Sequence, residues 1–425
     1  MKLLTTSAIA LAAAVAAMPA AAQYGYTPPP QPPQVPNIPK PNEPAAQPEA
    51  QGPTIKISNQ ARKAIVDLQN AVKANDFANV PAKATAALAV AQTKEDKYII
   101  GILQRQAALA AKDNAQLSAA IDTLVASAYL DGKKTSALYE DLGAKLYDTQ
   151  QFDQAAAAFE KAVAIDPHNA EAYSLIGEAR FSQGRKADAV AAFQRAIQES
   201  LTAGQKPQEA LYKRAVGVAY DAQLPVATDL GRQWASAYPG PDSWRNAIAI
   251  YRNMNHPDVE GTLDLLRLMQ ATGSLNSVPD YDLFVSAAAD QSNFVEAQAI
   301  IDQGIAAKVI DPASPVFRDT IAALKTKPKA TSADLAEATK TAVSGMALLR
   351  IGDRYFGLGD YAKAAELYRT SIGKTGVDPN IANLHLGMAL ARSGDKAGAI
   401  TAFSAVTGTR ADIAKFWLLY VQSRS

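Results

Sequence analysis

Residues Phe152 to Pro167 read FDQAAAAFEKAVAIDP, an alanine-rich run with one bulky aromatic, Phe159, at its centre. Alanine is the strongest helix former and the run lacks consecutive β-branched residues, so the segment reads as a helix, stopped at Pro167. Its small side chains suit a helix whose backbone closely approaches a neighbour. The aromatic fills the wider gap beside that contact. The neighbour stands just upstream: Tyr139, Leu142, Gly143 and Leu146 fall at i, i+3, i+4 and i+7, one stripe of a preceding helix. Ala155, Phe159 and Ala162 form the matching stripe. A leucine at Gly143 or Ala155 is expected to overpack this contact at a cost of about 1 to 3 kcal/mol.

The pattern repeats. Gly143, Ala155 and Phe159 return 34 residues later as Gly177, Ala189 and Phe193. The same spacing reappears near the C-terminus as Gly352, Ala364 and Tyr368, and again as Gly387, Ala399 and Phe403. A fixed period of this length, made of two helices and a turn, resembles the tetratricopeptide repeat. The resemblance covers roughly a third of the chain. It departs from the pattern at Arg180 and Asn383, where the stripe calls for an apolar residue, and between Gly352 and Gly387, which are one residue too far apart. Between the clear pairs the pattern weakens, although Gly217, Tyr220, Ala227 and Pro239 keep the family order.

The expected fold is therefore all-α, an elongated solenoid of antiparallel helix hairpins with a right-handed superhelical twist. The expected organisation is a signal peptide (1–22), a Pro-rich linker (23–55) and degenerate repeats (56–135). Two clear repeats (136–203), further degenerate repeats (204–344), two more clear repeats (345–408) and a capping helix (409–425) follow. In the cap, Trp417, Leu418 and Leu419 are expected to cover the last apolar face.

The N-terminus has the order of an export signal: Lys2, an apolar run, then the small-residue stretch MPAAAQ, with cleavage expected after Ala22. The chain has no cysteine, so neither a lipid-attachment thiol nor a disulfide is available. An exported, periplasmic or envelope-associated protein without a membrane span after signal removal is expected. Eleven of the chain's 24 prolines lie in the segment from Tyr24 to Pro53, a composition suited to an extended tether. Beyond the signal, basic and acidic residues balance at 41 each, because Lys2 is the only charged residue before Gln23. That balance argues against nucleic acid as a partner.

Catalytic patterns are lacking. His168, His256 and His385 are scattered without metal-ligand spacing and read as structural or solvated residues. Gly357 and Gly359 fall where the repeat places its inter-helix turn. Asp280 and Asp282 read as helix-capping residues, not as a cation site. No enzyme, cofactor or metal is expected. The repeat resemblance implies instead a concave groove lined by the first helix of each hairpin. Matched residue by residue, that groove comprises Glu140, Ala144, Tyr147 and Asp148, then Ser174, Glu178, Phe181 and Ser182. In the C-terminal pair it comprises Leu349, Asp353, Phe356, Leu384, Met388 and Arg392. Its acidic members favour a ligand bearing Lys or Arg, and the Lys and Asn clamp of co-chaperone repeats is absent at these places. The expected function is a protein- or peptide-binding scaffold of the bacterial envelope. The alternative is a structural subunit of a larger envelope or secretion assembly, with self-association.

Overall fold

The computed structural model describes residues 55–424, and the export signal and nearly all of the Pro-rich segment lie outside them. Among the described residues the chain is all helix and turn, with 21 α-helices and no strand. The first ten form five hairpins: α1 (Asn59–Lys73) with α2 (Val80–Val90), α3 (Lys94–Ala111) with α4 (Asn114–Ala126), α5 (Gly132–Asp148) with α6 (Phe152–Ile165), α7 (Ala170–Ser182) with α8 (Lys186–Thr202), and α9 (Glu209–Asp221) with α10 (Val226–Ala237). Next come α11 (Pro241–Asn255), α12 (Val259–Ala271), α13 (Val278–Asp290), α14 (Phe294–Ala306), α15 (Pro315–Lys325) and α16 (Ser332–Thr341). The last five are α17 (Gly345–Gly357), α18 (Tyr361–Ile372), α19 (Pro379–Ser393), α20 (Lys396–Ser404) and α21 (Ala411–Ser423). No helix among the described residues is long and apolar enough to cross a membrane.

The glycine–aromatic contact is the same in all four clear hairpins. A Cβ built on Gly143 would stand 2.4 Å from the Phe159 ring, and one on Gly177 the same distance from Phe193. The corresponding distances are 2.7 Å for Gly352 to Tyr368 and 2.5 Å for Gly387 to Phe403. Each is too short for a real side chain, so the spacing seen in the sequence records a direct steric need. Gly217 differs. It is exposed and a Cβ there would meet nothing, so it is not the packing glycine of α9; Tyr212, Ala215, Val216, Val218 and Ala219 bury that helix instead. Arg180 is accommodated by leaning out of the stripe to pair with Glu160 and Gln183, while Ala179 takes the buried place.

The C-terminal part does not continue as an open array. Helix α14 packs directly on α17, and α21 returns to contact α10 and α12 as well as α19 and α20. Residues distant in sequence are thereby joined: Arg410 reaches Asp258 at 2.7 and 2.9 Å, and the Trp417 indole donates to the Asp264 carbonyl at 3.2 Å. Gly261 makes room for the Arg410 guanidinium, which overlaps the place a Cβ would take. The cap is therefore a closing clasp. Ile413, Phe416 and Trp417 are fully buried in it, whereas Leu418 and Leu419 are only half buried, because the face that docks runs through Ile413, Phe416, Trp417 and Tyr420.

Helices α15 and α16 join the core through few side chains, with α16 packed against α17. Phe317, Leu324 and Leu335 are the side chains they bury. They bury fewer side chains than the helices of the clear hairpins do.

Candidate partner-binding site

The inner face of the N-terminal repeats is built by α5, α7 and α9. Tyr147 and Phe181 sit half-exposed at equivalent places on α5 and α7. The Tyr147 hydroxyl lies 2.9 Å from that of Ser182, and its ring meets the Phe152 ring edge-on at 5.2 Å. Phe181 carries the Arg214 guanidinium 4.0 Å above its ring, and the same guanidinium grips Glu178 with two bonds of 2.9 and 2.7 Å. Glu140 accepts from the Asn169 amide at 2.7 Å and from the Ser136 hydroxyl at 3.3 Å. Burial raises its pKa, against those two hydrogen bonds. Ala144 and Ser174 lie half-buried between these groups and Asp148 is exposed. The expected row of open carboxylates is thus corrected at Glu178, which the next repeat neutralises. Arg105 and Asp141, 2.7 Å apart, form a similar bridge between α3 and α5.

The matching face of the C-terminal repeats is covered. Leu349, Leu384 and Met388 are fully buried, and Asp353 and Phe356 are 5% and 4% exposed. These were expected to line a groove, but α12 and α14 occupy the space in front of α17 and α19. Arg267 of α12 lies over the Phe356 ring at 5.0 Å, and Asn293 at the start of α14 donates to the Asp353 carbonyl at 3.0 Å. Gly357 ends α17 where a Cβ would stand 2.8 Å from Glu296, so it serves a close helix approach as well as leading into the turn at Gly359, whose φ is +80°. Arg392 alone of this set stays half-exposed, its guanidinium 4.8 Å from the Tyr361 ring.

Residues 141–210 and 349–413 match the profile of the tetratricopeptide repeat family. These two segments carry tetratricopeptide repeats. Such repeats suggest a protein-interaction scaffold. A comparison with curated proteins finds no match. Among solved structures, pilF of Pseudomonas aeruginosa is similar at 11% identity, with 62% of this chain and 98% of that one covered and a TM-score of 0.25. The C-terminal part of a repeat protein from Cytophaga hutchinsonii shows 12% identity over 75% of this chain and 98% of its own, with a TM-score of 0.29. A tetratricopeptide repeat protein from Parabacteroides merdae shows 9% identity, 78% and 100% coverage and a TM-score of 0.23.

Where the C-terminal tetratricopeptide repeats meet α12 and α14, an apolar contact has an ionic centre. Arg267, 1% exposed, makes a bidentate pair with Glu296 at 2.8 Å on each nitrogen and a third bond to Asp264 at 3.1 Å. His385 of α19 lies between two carboxylates, Nε2 at 3.1 Å from Asp264 and Nδ1 at 2.9 Å from Asp353, close enough to pair but out of line for straight hydrogen bonds. Tyr368 donates to Asp353 at 2.9 Å, and its ring meets His385 edge-on at 5.4 Å. Burial alone would discharge this imidazole, but the two carboxylates outweigh it and push its pKa up to about 10. Burial likewise raises Asp353, yet His385, Arg267 and Arg350 overcome it and hold the carboxyl well below the usual range. Three buried carboxylates thus face Arg267 and a charged His385. Arg350 at the rim, 3.4 Å from Asp353 and 3.1 Å from Glu260, completes the balance.

Of the charged residues in this network, the repeat pattern points only to Asp353, and His385 reads as a structural or solvated residue. Two signals mark them. LDLLRLM sets Asp264 and Arg267 among leucines on every side of a helix, and Tyr368 stands where the other three repeats have phenylalanine. Asp280, read as a cap, instead accepts from Arg245 at 2.9 Å, and Ser277 caps α13. Among the described residues no cluster of three or more His, Cys, Asp or Glu is arranged to hold a metal.

Proposed function

We propose that the chain is a non-enzymatic scaffold that binds an exported protein or peptide along the inner face of its N-terminal repeats, in the bacterial envelope. One observation carries this reading: Tyr147 and Phe181 stand half-exposed at equivalent places on consecutive first helices, whereas the corresponding Phe356 is buried. Partly exposed aromatics with rigid support can anchor protein interfaces. Arg214 shields Phe181 and neutralises Glu178, so the ligand's charge is met mainly by Glu140 and Asp148. The order of Lys2, apolar run and small-residue stretch supports export, with a mature N-terminus at Gln23.

Photo-crosslinking groups placed singly at positions 147, 181 and 356 of the full chain, in cells, test the site. Capture of the same partner from 147 and 181 but not from 356 is expected. Equal capture from all three, or none from 147 and 181, overturns it. The mass of the mature N-terminus tests export independently: an intact Met1 in the soluble envelope fraction is the contrary result.

A further inference from the structure

The inner face of α17 and α19 is built like a binding face yet has an occupant from its own chain. The residues covered are those at first-helix groove places, Leu349, Asp353, Phe356, Leu384 and Met388. The covering residues come from α12 and α14, with Arg267 seated on the Phe356 ring and between carboxylates. Three features separate this contact from ordinary core. First, its centre is charged, and an apolar centre of similar volume would hold the helices together at least as well. Charges that regain water on separation lower the cost of parting the two faces. Second, a small cavity of ≈ 10 Å³, room for about one water, lies at the contact, bordered by Leu263 and by the polar side chains of Glu260, Asn293, Arg350, Asp353 and His385. Third, the covalent path from α14 to α17 runs through α15 and α16, which bury few side chains. The chain connection from α14 to α17 therefore adds few buried side chains of its own, while α21 holds α12 on its other side through Arg410 with Asp258 and Trp417 with the Asp264 carbonyl.

We propose that α12 is an internal ligand of the C-terminal tetratricopeptide repeats, docked through Asp264 and Arg267. The face it covers is a second protein-binding site, selective for a helix with an Asp and an Arg three residues apart, and it opens only when α12 leaves. The glycine–aromatic contacts of α17 with α18 and of α19 with α20 are complete without α12, so these hairpins keep their own packing when the face is uncovered. The inference stands apart from the N-terminal groove and does not depend on it.

A labelled peptide of residues 258–272 is the probe. Added to the full chain carrying Asp264→Ala and Arg267→Ala together, it is expected to bind at least tenfold more tightly than to the unaltered chain. A peptide carrying Arg267→Ala is expected to lose that gain. Equal binding to both chains, or none to a variant that keeps its helicity, overturns the proposal. If the double variant fails to fold, the unaltered chain is nicked at an inserted protease site in the exposed 326–329 segment. The probe should then release the C-terminal fragment at least tenfold faster than the Arg267→Ala peptide does. Equal release with the two peptides is the overturning result.

Discussion

The two clear repeat pairs share their hairpin packing and differ in what their inner faces meet. In the N-terminal pair the face carries half-exposed aromatics and charge pairs such as Glu178 with Arg214, 23% and 16% exposed. In the C-terminal pair the same face is filled by α12 and α14, and its charges, Asp353 and His385, are buried. One repeat geometry thus supports a surface in one place and a core in the other. The deciding factor is whether a later or earlier part of the chain can fold back onto the face.

The sharpest way to break this contrast is to remove one charge from each face. Arg267→Ala leaves Glu296, Asp264 and Asp353 without their shared cation, and a loss of about 3 to 5 kcal/mol is expected in chemical denaturation. Arg214→Ala, at the half-exposed pair, should cost under ~1 kcal/mol. Similar losses for the two would erase the distinction.

Hairpin packing should respond alike in both halves. Phe159→Ala and Phe403→Ala each empty a fully buried site and are expected to cost ~3 to 5 kcal/mol. Gly143→Ala and Gly387→Ala press a methyl into the aromatic ring and should each cost roughly 1 to 3 kcal/mol. A Gly143→Ala chain that melts like the parent would show that the close approach is not required.

Alkali separates the halves by charge. His385 is charged in the fold with a pKa raised to about 10, above the ordinary 6.5, so the stability it adds is fully present below pH 6.5 and is lost as pH rises toward 10. The stability of the C-terminal region is expected to fall over that window with a slope of at most about 1.4 kcal/mol per pH unit, and His385→Gln should flatten it. Asp353, depressed by its cations, acts at the other end: its contribution is present above the ordinary carboxylate pKa and is lost in acid. Denaturation followed at Trp417 against pH reads both limbs. A flat profile from pH 7 to 10 contradicts a buried imidazolium.

The smallest effect on folding should accompany the clearest effect on binding. Tyr147→Ala is expected to shift melting little, because the side chain is half-exposed, while weakening a crosslink-identified partner by more than ~1 kcal/mol in titration. Phe181→Ala should cost somewhat more stability, since Phe181 also packs against the cluster of Phe193, Tyr212 and Trp234 and supports Arg214. If Phe181→Ala melts as early as Phe193→Ala, this aromatic is core and its place in the groove fails.

Much of the hairpin architecture was legible in the residues because it is local. Gly143 and Phe159, or Gly387 and Phe403, meet across one short turn, and steric exclusion at that contact leaves a fixed spacing in the chain. The candidate groove was legible only as a set of places on first helices. Whether a place is open depends on partners far away in sequence, and no local period records them. Thus Phe181 and Phe356 look equivalent as residues, yet Arg214 covers one from the next repeat while Arg267 and α14 bury the other. Likewise Gly217 matches a motif without making its contact, and Trp417 was expected to cap a free end but binds the Asp264 carbonyl 153 residues away. By itself the sequence determined helices, hairpins and repeat identity, through propensity, periodicity and the size limit at glycine. Only the tertiary structure decided which inner face stays in water, because burying Asp264, Arg267, Glu296, Asp353 and His385 is tolerable only when five separate helices, α12, α14, α17, α18 and α19, bring opposite charges and a tyrosine hydroxyl together.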